Sequence, residues 1–309
     1  MTPEAHRIHR LRHLHGLLAA PLLALLAAAA LPAQEEGPLQ GRSLLGRELR
    51  AQAPSPEQAS AIEEAQKLLA AEPTDPERVL AVGSALAAVW RYRDAIEVYG
   101  RGLEAHPEHA VLYRHRGHRH LSLRDFASAE ADLQRAAALY EDGLGAALGF
   151  DIWYHLGLAR YLQGDWAGAA EAYRRCREAI AEDDDESLVA VSHWRYMTLR
   201  RGGRADEAAQ VLAPIHAEMA VEENRAYYDL LRLYRGDVTV ADIYDPETAT
   251  PLDLATTGYG VANWWLYGGE EEKARELFAR IVEGPYWPAF GFIAAEVEVA
   301  RERGEGRAQ

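Results

Sequence analysis

The sequence predicts an all-α protein built as a solenoid of helical hairpins, and three features of its 309 residues carry that prediction. The first is an internal repeat. Gly83, Ala95, Tyr99 and Gly102 return 34 residues later as Gly117, Ala129, Leu133 and Ala136, a period of one helical hairpin. Units of that length stack into an extended surface instead of closing around one catalytic pocket. The second is composition: the 49% hydrophobic content is rich in alanine and leucine and sparse in β-branched residues, which favours helix over strand. The third is the single cysteine, Cys176. It excludes an intramolecular disulfide, so stability must come from packing over a large core, and its repeat position reads as a small buried residue.

Residues 1–33 stand apart. Arg7, Arg10 and Arg12 with four histidines form a basic head, Leu17 to Leu31 is apolar, and Ala28-Ala29-Ala30 or Leu31-Pro32-Ala33 offers small residues for cleavage. This is the pattern of a Sec-type signal peptide, which places the mature chain in the periplasm or outside the cell. Fifteen apolar residues interrupted by Pro21 fall short of the roughly 20 needed to cross a bilayer, so a retained N-terminal anchor is the weaker alternative. Without this segment the net charge moves from −15 to −17. Such an acidic surface repels phosphates and anionic headgroups, so neither nucleic acid nor membrane insertion after signal cleavage is expected.

Residues 34–54 lack a clear period and read as a linker or loosely docked arm. Order begins at Ser55, whose hydroxyl can cap a helix starting at Pro56 with Gln58 closing a capping box. The repeats then fall near 76–107, 110–141, 150–181 and 189–220, a degenerate unit at 222–251 broken by Pro246 and Pro251, and a last unit at 255–286. The final helix, about Trp287 to Arg303, is expected to cap the exposed end, and 304–309 is a tail.

Small residues at the eighth and twentieth positions of each unit let two helices approach closely, while aromatic or leucine side chains at the fourth, eleventh and twenty-fourth fill the space between hairpins. Trp153, Gly157, Tyr161, Ala169 and Tyr173 occupy these slots in the run WYHLGLARYLQGDWAGAAEAYRRC. This resembles the tetratricopeptide repeat (TPR), and the resemblance covers residues 57–303. It implies a right-handed superhelix whose concave groove binds a peptide or protein partner. The C-terminal half, with Trp264-Trp265-Leu266-Tyr267-Gly268-Gly269-Glu270, is similar to TPR lipoprotein adaptors of the bacterial cell envelope, although the lipid-bearing cysteine is missing.

In that family the groove is lined by fixed positions of the first helix of each hairpin. Carried onto this sequence, they are Arg114, His115, His118, Tyr154, His155, His193, Trp194, Arg200, Arg201, Tyr227 and Tyr234. Arginine and aromatic anchors suit a peptide-binding surface, and the arginines would steer acidic stretches of a partner. The family's carboxylate clamp is not reproduced, because its ninth position holds Ser84, His118 and Leu158 in successive units.

Other candidates have simpler readings. His115 and His118 sit one turn apart, but no carboxylate or cysteine joins them at zinc-ligand spacing, so no metal is expected. Glu182 to Glu186 lacks the alternation and glycine of a calcium loop and reads as acids capping the next helix. Gly143 to Gly149 nearly spells a dinucleotide fingerprint but has one residue too many and no preceding strand. With no HExxH, GxSxG or phosphate-binding loop, no cofactor and no enzymatic activity are expected. The sequence therefore points to a non-catalytic interaction scaffold or adaptor in the cell envelope. It leaves open a structural, self-associating role and, behind that, an enzyme of unfamiliar type.

Overall fold

The structure, a computed structural model, describes residues 37–140, 145–181 and 183–304. The expected signal peptide and residues 305–309 lie outside the described residues. Where the sequence suggests a linker, a two-stranded antiparallel hairpin forms, β1 (Leu39–Arg42) and β2 (Glu48–Arg50). Then come α1 (Pro56–Ala71) and six helix pairs: α2 (Pro76–Ala88) with α3 (Tyr92–Ala105), α4 (Ala110–Ser122) with α5 (Phe126–Leu139), α6 (Ala146–Gln163) with α7 (Trp166–Glu178), α8 (Asp185–Arg201) with α9 (Ala205–Val211), α10 (Arg225–Arg235) with α11 (Val240–Ile243), and α12 (Pro251–Tyr267) with α13 (Glu271–Glu283). A last helix, α14 (Phe290–Glu302), follows. From α1 to α9 each helix packs on the next, which is the stacking order of a solenoid.

The starts of these helices follow from local chemistry. Ser55 Oγ accepts the Gln58 N–H at 3.2 Å while Gln58 Oε1 accepts the Ser55 N–H at 2.9 Å, a closed capping box ahead of α1. Asp75, Asp125, Asp165 and Asp184 cap α2, α5, α7 and α8 with their carboxylates. The fifth pair is degenerate because α11 has shrunk to 4 residues. Pro251 does not break a helix there. It opens one, at the first position of α12, with Thr250 and Asp253 forming the capping box.

The C-terminal helix is not an end cap. Ten consecutive residues of α14, Gly291 to Ala300, are buried, which a helix covering one end of a solenoid would not show, because half its circumference would face water. Its neighbours explain the burial. Phe290 lies 5.3 Å from the His118 ring of α4 and 5.7 Å from His155 of α6. Glu298 binds Arg201 of α8 at 2.9 Å, and Arg301 donates to the Leu162 carbonyl at 3.0 Å. At Gly291 an added Cβ would fall 1.8 Å from the Ala255 carbonyl of α12, so only glycine admits that approach. The helix runs along the inner, A-helix side of the hairpins, where the sequence reading places an open groove.

One buried ion pair fixes it there. Arg124 and Glu296 meet at 2.8 Å with side chains 2% and 1% exposed. Arg124 also donates to the Ser122 carbonyl at 2.5 Å and the Trp287 carbonyl at 3.0 Å, and Glu296 accepts the backbone N–H of Leu44 from the β1–β2 turn. Trp287 in turn donates its indole N–H to the Arg50 carbonyl at 3.1 Å and packs edge-on against Trp90 and Tyr92. First repeat, N-terminal hairpin and last helix thus share one core. Removing one partner leaves an uncompensated buried charge, so Glu296→Gln should lower stability by about 3–5 kcal/mol, whereas Arg124→Met combined with Glu296→Leu should recover most of that loss. Urea denaturation of the three proteins measures this, and equal losses in single and double variants would show that the pair does not act as a unit.

Candidate interaction groove

The eleven residues assigned to the groove divide by depth. Tyr154, His155, His193, Trp194 and Tyr234 are buried, whereas Arg114, His115, His118, Arg200, Arg201 and Tyr227 are half-buried. The buried set belongs to the interior. Trp194, 1% exposed, packs edge-on to Tyr161 at 5.3 Å and against Tyr259 at 5.9 Å, and the Tyr161 and Tyr259 hydroxyls bond at 2.8 Å. No partner can touch Trp194 without opening the fold. His193 is stacked on Tyr227 at 4.7 Å and on Tyr234 at 5.9 Å. Arg201 is held by Glu298 of α14 and lies 5.1 Å over the Trp166 ring. Arg200 sits over Tyr267 at 4.7 Å and Tyr196 at 5.7 Å, and donates to the Tyr196 hydroxyl at 2.8 Å.

The residues on α4 stand differently. Arg114, His115 and His118 keep part of their surface open, with Arg114 bound to Asp151 at 2.7 Å and His118 facing His155 across α4 and α6 at 4.2 Å between rings. Four of the imidazoles are neutral for the same reason. Burial, with the Arg114 and Arg119 guanidiniums beside it, pulls His115 down to about 3, and burial alone pulls His193 to about 3. Burial with the nearby arginines holds His118 and His155 well below the ordinary value. A neutral imidazole still offers one N–H donor. Among the described residues no three His, Cys, Asp or Glu side chains are grouped to hold a metal. Cys176 is buried and burial pushes its thiol up, far from a reactive thiolate.

The packing that brings these A helices together recurs. A Cβ on Gly83 would lie 2.2 Å from the Tyr99 ring, on Gly117 2.9 Å from Leu133, and on Gly157 2.7 Å from Tyr173. Each glycine of an A helix receives the side chain sixteen positions on, in the B helix of the same hairpin. This is the glycine-to-ring spacing on which the resemblance to the tetratricopeptide repeat rests. In the fourth, Tyr196 takes the glycine's place and stacks on Tyr234 of the next repeat at 4.4 Å.

No family model matches the chain. RNA polymerase II-associated protein 3 of Xenopus laevis is 34% identical over 132 residues, 43% of this chain and 18% of that protein, so the chain spans less than a fifth of that relative. Among solved structures, MamA is 20% identical over 59% of this chain and 86% of its own, with a TM-score of 0.43. YrrB, described as a TPR protein with an unusual peptide-binding site, is 17% identical over 78% of this chain and 100% of its own, with a TM-score of 0.44.

Three features of this surface and its turns escaped the sequence reading. Arg119 lies on α4 between the family's groove positions and stacks 4.9 Å over Tyr92. Trp90 and Arg124 adopt φ of 62° and 66° at the turns inside the first two repeats, where later repeats have Gly164, Gly203, Gly236 and Gly269 at positive φ. The missing glycines were a readable signal: a non-glycine residue pays roughly 1–3 kcal/mol to sit there, which only strong contacts elsewhere sustain. Trp90 meets Tyr286 and Trp287, and Arg124 meets Glu296.

The neutral histidines give a pH dependence. An unfolded histidine protonates near 6.5 and folded His193 only near 3. The unfolded state therefore binds more protons between those values, and stability falls as pH drops from about 6.5 towards 3. For His193 alone the decline approaches about 1.4 kcal/mol per pH unit. Urea denaturation at pH 7, 6 and 5 should show this slope reduced by that amount in His193→Gln, and an unchanged slope would contradict the neutral state of His193.

Proposed function

We propose that the protein is a non-catalytic protein-interaction scaffold of the cell envelope, exported through residues 1–33, that binds a peptide or protein segment on the part of its inner surface that α14 leaves open. The observation that carries this reading is the contrast in depth along the A helices. The deep half of the concave face is filled by α14, whereas Arg114, His115 and His118 on α4 remain accessible.

Magnitudes decide against α14 as a displaceable stand-in for the partner. Burying Phe292, Ile293, Val297 and Val299, each at most 8% exposed, contributes on the order of 6–12 kcal/mol before the ion pairs are counted. A micromolar partner gains only about 8 kcal/mol in total. Such a partner cannot evict the helix and has to use the surface beside it. That surface offers the Arg114 guanidinium and two neutral imidazoles as hydrogen-bond donors, which suits the carboxylates of acidic stretches of a partner. The likeness of the C-terminal repeats to envelope TPR adaptors agrees with this role.

The test is affinity capture from native envelope extract with three proteins: wild type, Arg114→Ala with His115→Ala, and Arg174→Ala on the exposed face of α7. The groove variant should lose the captured partner at least tenfold while Arg174→Ala retains it, with melting temperatures compared for all three. Equal capture by the groove variant and wild type would overturn the assignment. Expression of the full chain in a Gram-negative host should yield a periplasmic product whose N-terminus, read by Edman sequencing, lies near residues 31–34; a product still beginning at Met1 would remove the export reading.

A further inference from the structure

A cleft of about 360 Å³ lies between the B helices α5 and α7, with Trp153, Leu156 and Arg160 of α6 as its floor. Ala137 and Ala138 form one wall, Glu171 and Arg175 the other. A shortened side chain accounts for it. Leu103 of α3 stands 34 residues before Ala137, and it is 6% exposed in the core against which Tyr113 packs. Tyr113 precedes Gly117 by four positions, as Trp153 precedes Gly157. The third repeat therefore pairs a larger ring with a smaller wall. Where leucine supplies core beside the tyrosine, alanine leaves the space beside the tryptophan open, and Trp153 stays half-buried. A ring left in that state gains stabilisation from whatever covers it.

The polar groups of the cleft are unevenly used. Glu130 accepts from Arg160 Nε at 2.9 Å, from Gln134 at 2.9 Å and from Gln163 at 2.7 Å. Glu171 accepts from Arg174 at 2.7 and 2.8 Å and from Arg175 Nε at 3.0 Å. Both carboxylates are thus occupied, whereas the guanidiniums are not. Among the described residues the two terminal nitrogens of Arg175 have no acceptor, and Arg160 gives one of its own to the Gly168 carbonyl at 3.2 Å and keeps the other. Arg175 is also held in place, its guanidinium 4.9 Å over the Trp153 ring. A fork fixed through its Nε and its stacked face loses little freedom when its remaining N–H groups bind.

We propose that this cleft binds a short extended peptide segment in which a bulky apolar side chain adjoins a carboxylate. The apolar side chain covers Trp153 and Leu156 beside the alanine wall, and the carboxylate takes the terminal nitrogens of Arg175. Trp153 and Arg160 are seven residues apart on one helix, about 10 Å, which matches three residues of extended chain at about 3.3 Å each. Spare donors without spare acceptors select an acceptor ligand, and a charged acceptor forms bonds about twice as strong as a neutral one. A phosphate dianion fits less well, because Glu130 and Glu171 stand beside the same guanidiniums and repel the second charge. The site goes beyond the scaffold reading, since it shares no residue with the α4 surface.

The experiment follows the indole N–H signals of the purified full chain by NMR, with Trp153 assigned from the signal missing in Trp153→Phe. Three capped peptides are titrated: acetyl-Leu-Asp-Leu-amide, the same peptide with asparagine for aspartate, and the same peptide with alanine for both leucines. The first should shift the Trp153 signal and bind at least fivefold more tightly than either of the others. Ala138→Phe, at an exposed position, should fill the cleft and abolish the shift. Arg175→Gln should weaken the aspartate peptide at least fivefold and leave the asparagine peptide unchanged, with both variants melting as wild type does. No Trp153 shift with the first peptide, equal affinity for all three, or undiminished binding by Ala138→Phe would overturn the site. Arg114→Ala with His115→Ala should bind the first peptide as wild type does, so loss of partner capture in the envelope experiment and loss of this binding are read separately.

Discussion

The buried contact between Arg124 and Glu296 is the constraint around which the interior is organised. It joins residues 172 positions apart, and it draws in the β1–β2 turn through the Leu44 N–H and the approach to α14 through the Trp287 carbonyl. Two desolvated charges are tolerable only when all their hydrogen-bonding capacity is used, and here the surroundings supply it. A stack of helical hairpins needs only contacts between neighbours. This chain adds a contact between its second repeat and its last helix, so the repeats cannot lengthen or unwind independently. The inner surface is spent largely on that closure.

What was legible in the sequence is what is decided locally. The glycine and the ring sixteen residues on, as in Gly83 with Tyr99 and Gly157 with Tyr173, lie within one hairpin, so the spacing survives loops of different length and the fold can be read from it. The capping box of Ser55 and Gln58 is local as well. The placement of α14 is not. Its run FGFIAAEVEVA is apolar on every face, and the glutamates that interrupt it find arginines in the second and fourth repeats. Uniform apolarity announced burial all round, but nothing within the segment names the surface that buries it. The hairpin at 39–50 was hidden for the same reason: its strands are 4 and 3 residues long, and its partners, Glu296 and the Val282 and Gly284 carbonyls, stand more than 230 residues away.

The same distinction explains the division of the assigned groove residues. Family positions predict which side of a helix a residue occupies, and on that side Trp194, His193 and Tyr234 do lie. They do not predict what else the chain packs against that side. Aromatic residues gathered there served two readings equally, a peptide surface or an internal core, because both reward large rings with few rotatable bonds. The distinction is made by α14, and it leaves the α4 face, polar and cationic, as the part of the concave surface still in contact with water.

The costs held in this interior are compensated from outside the repeat that bears them. Trp90 and Arg124 both occupy left-handed turns, and each is compensated by contacts with the C-terminal segment, so their strain is structural in purpose. The aromatic stack from Tyr196 through Tyr234 to Trp264 offsets the loss of the glycine in the fourth repeat in the same way.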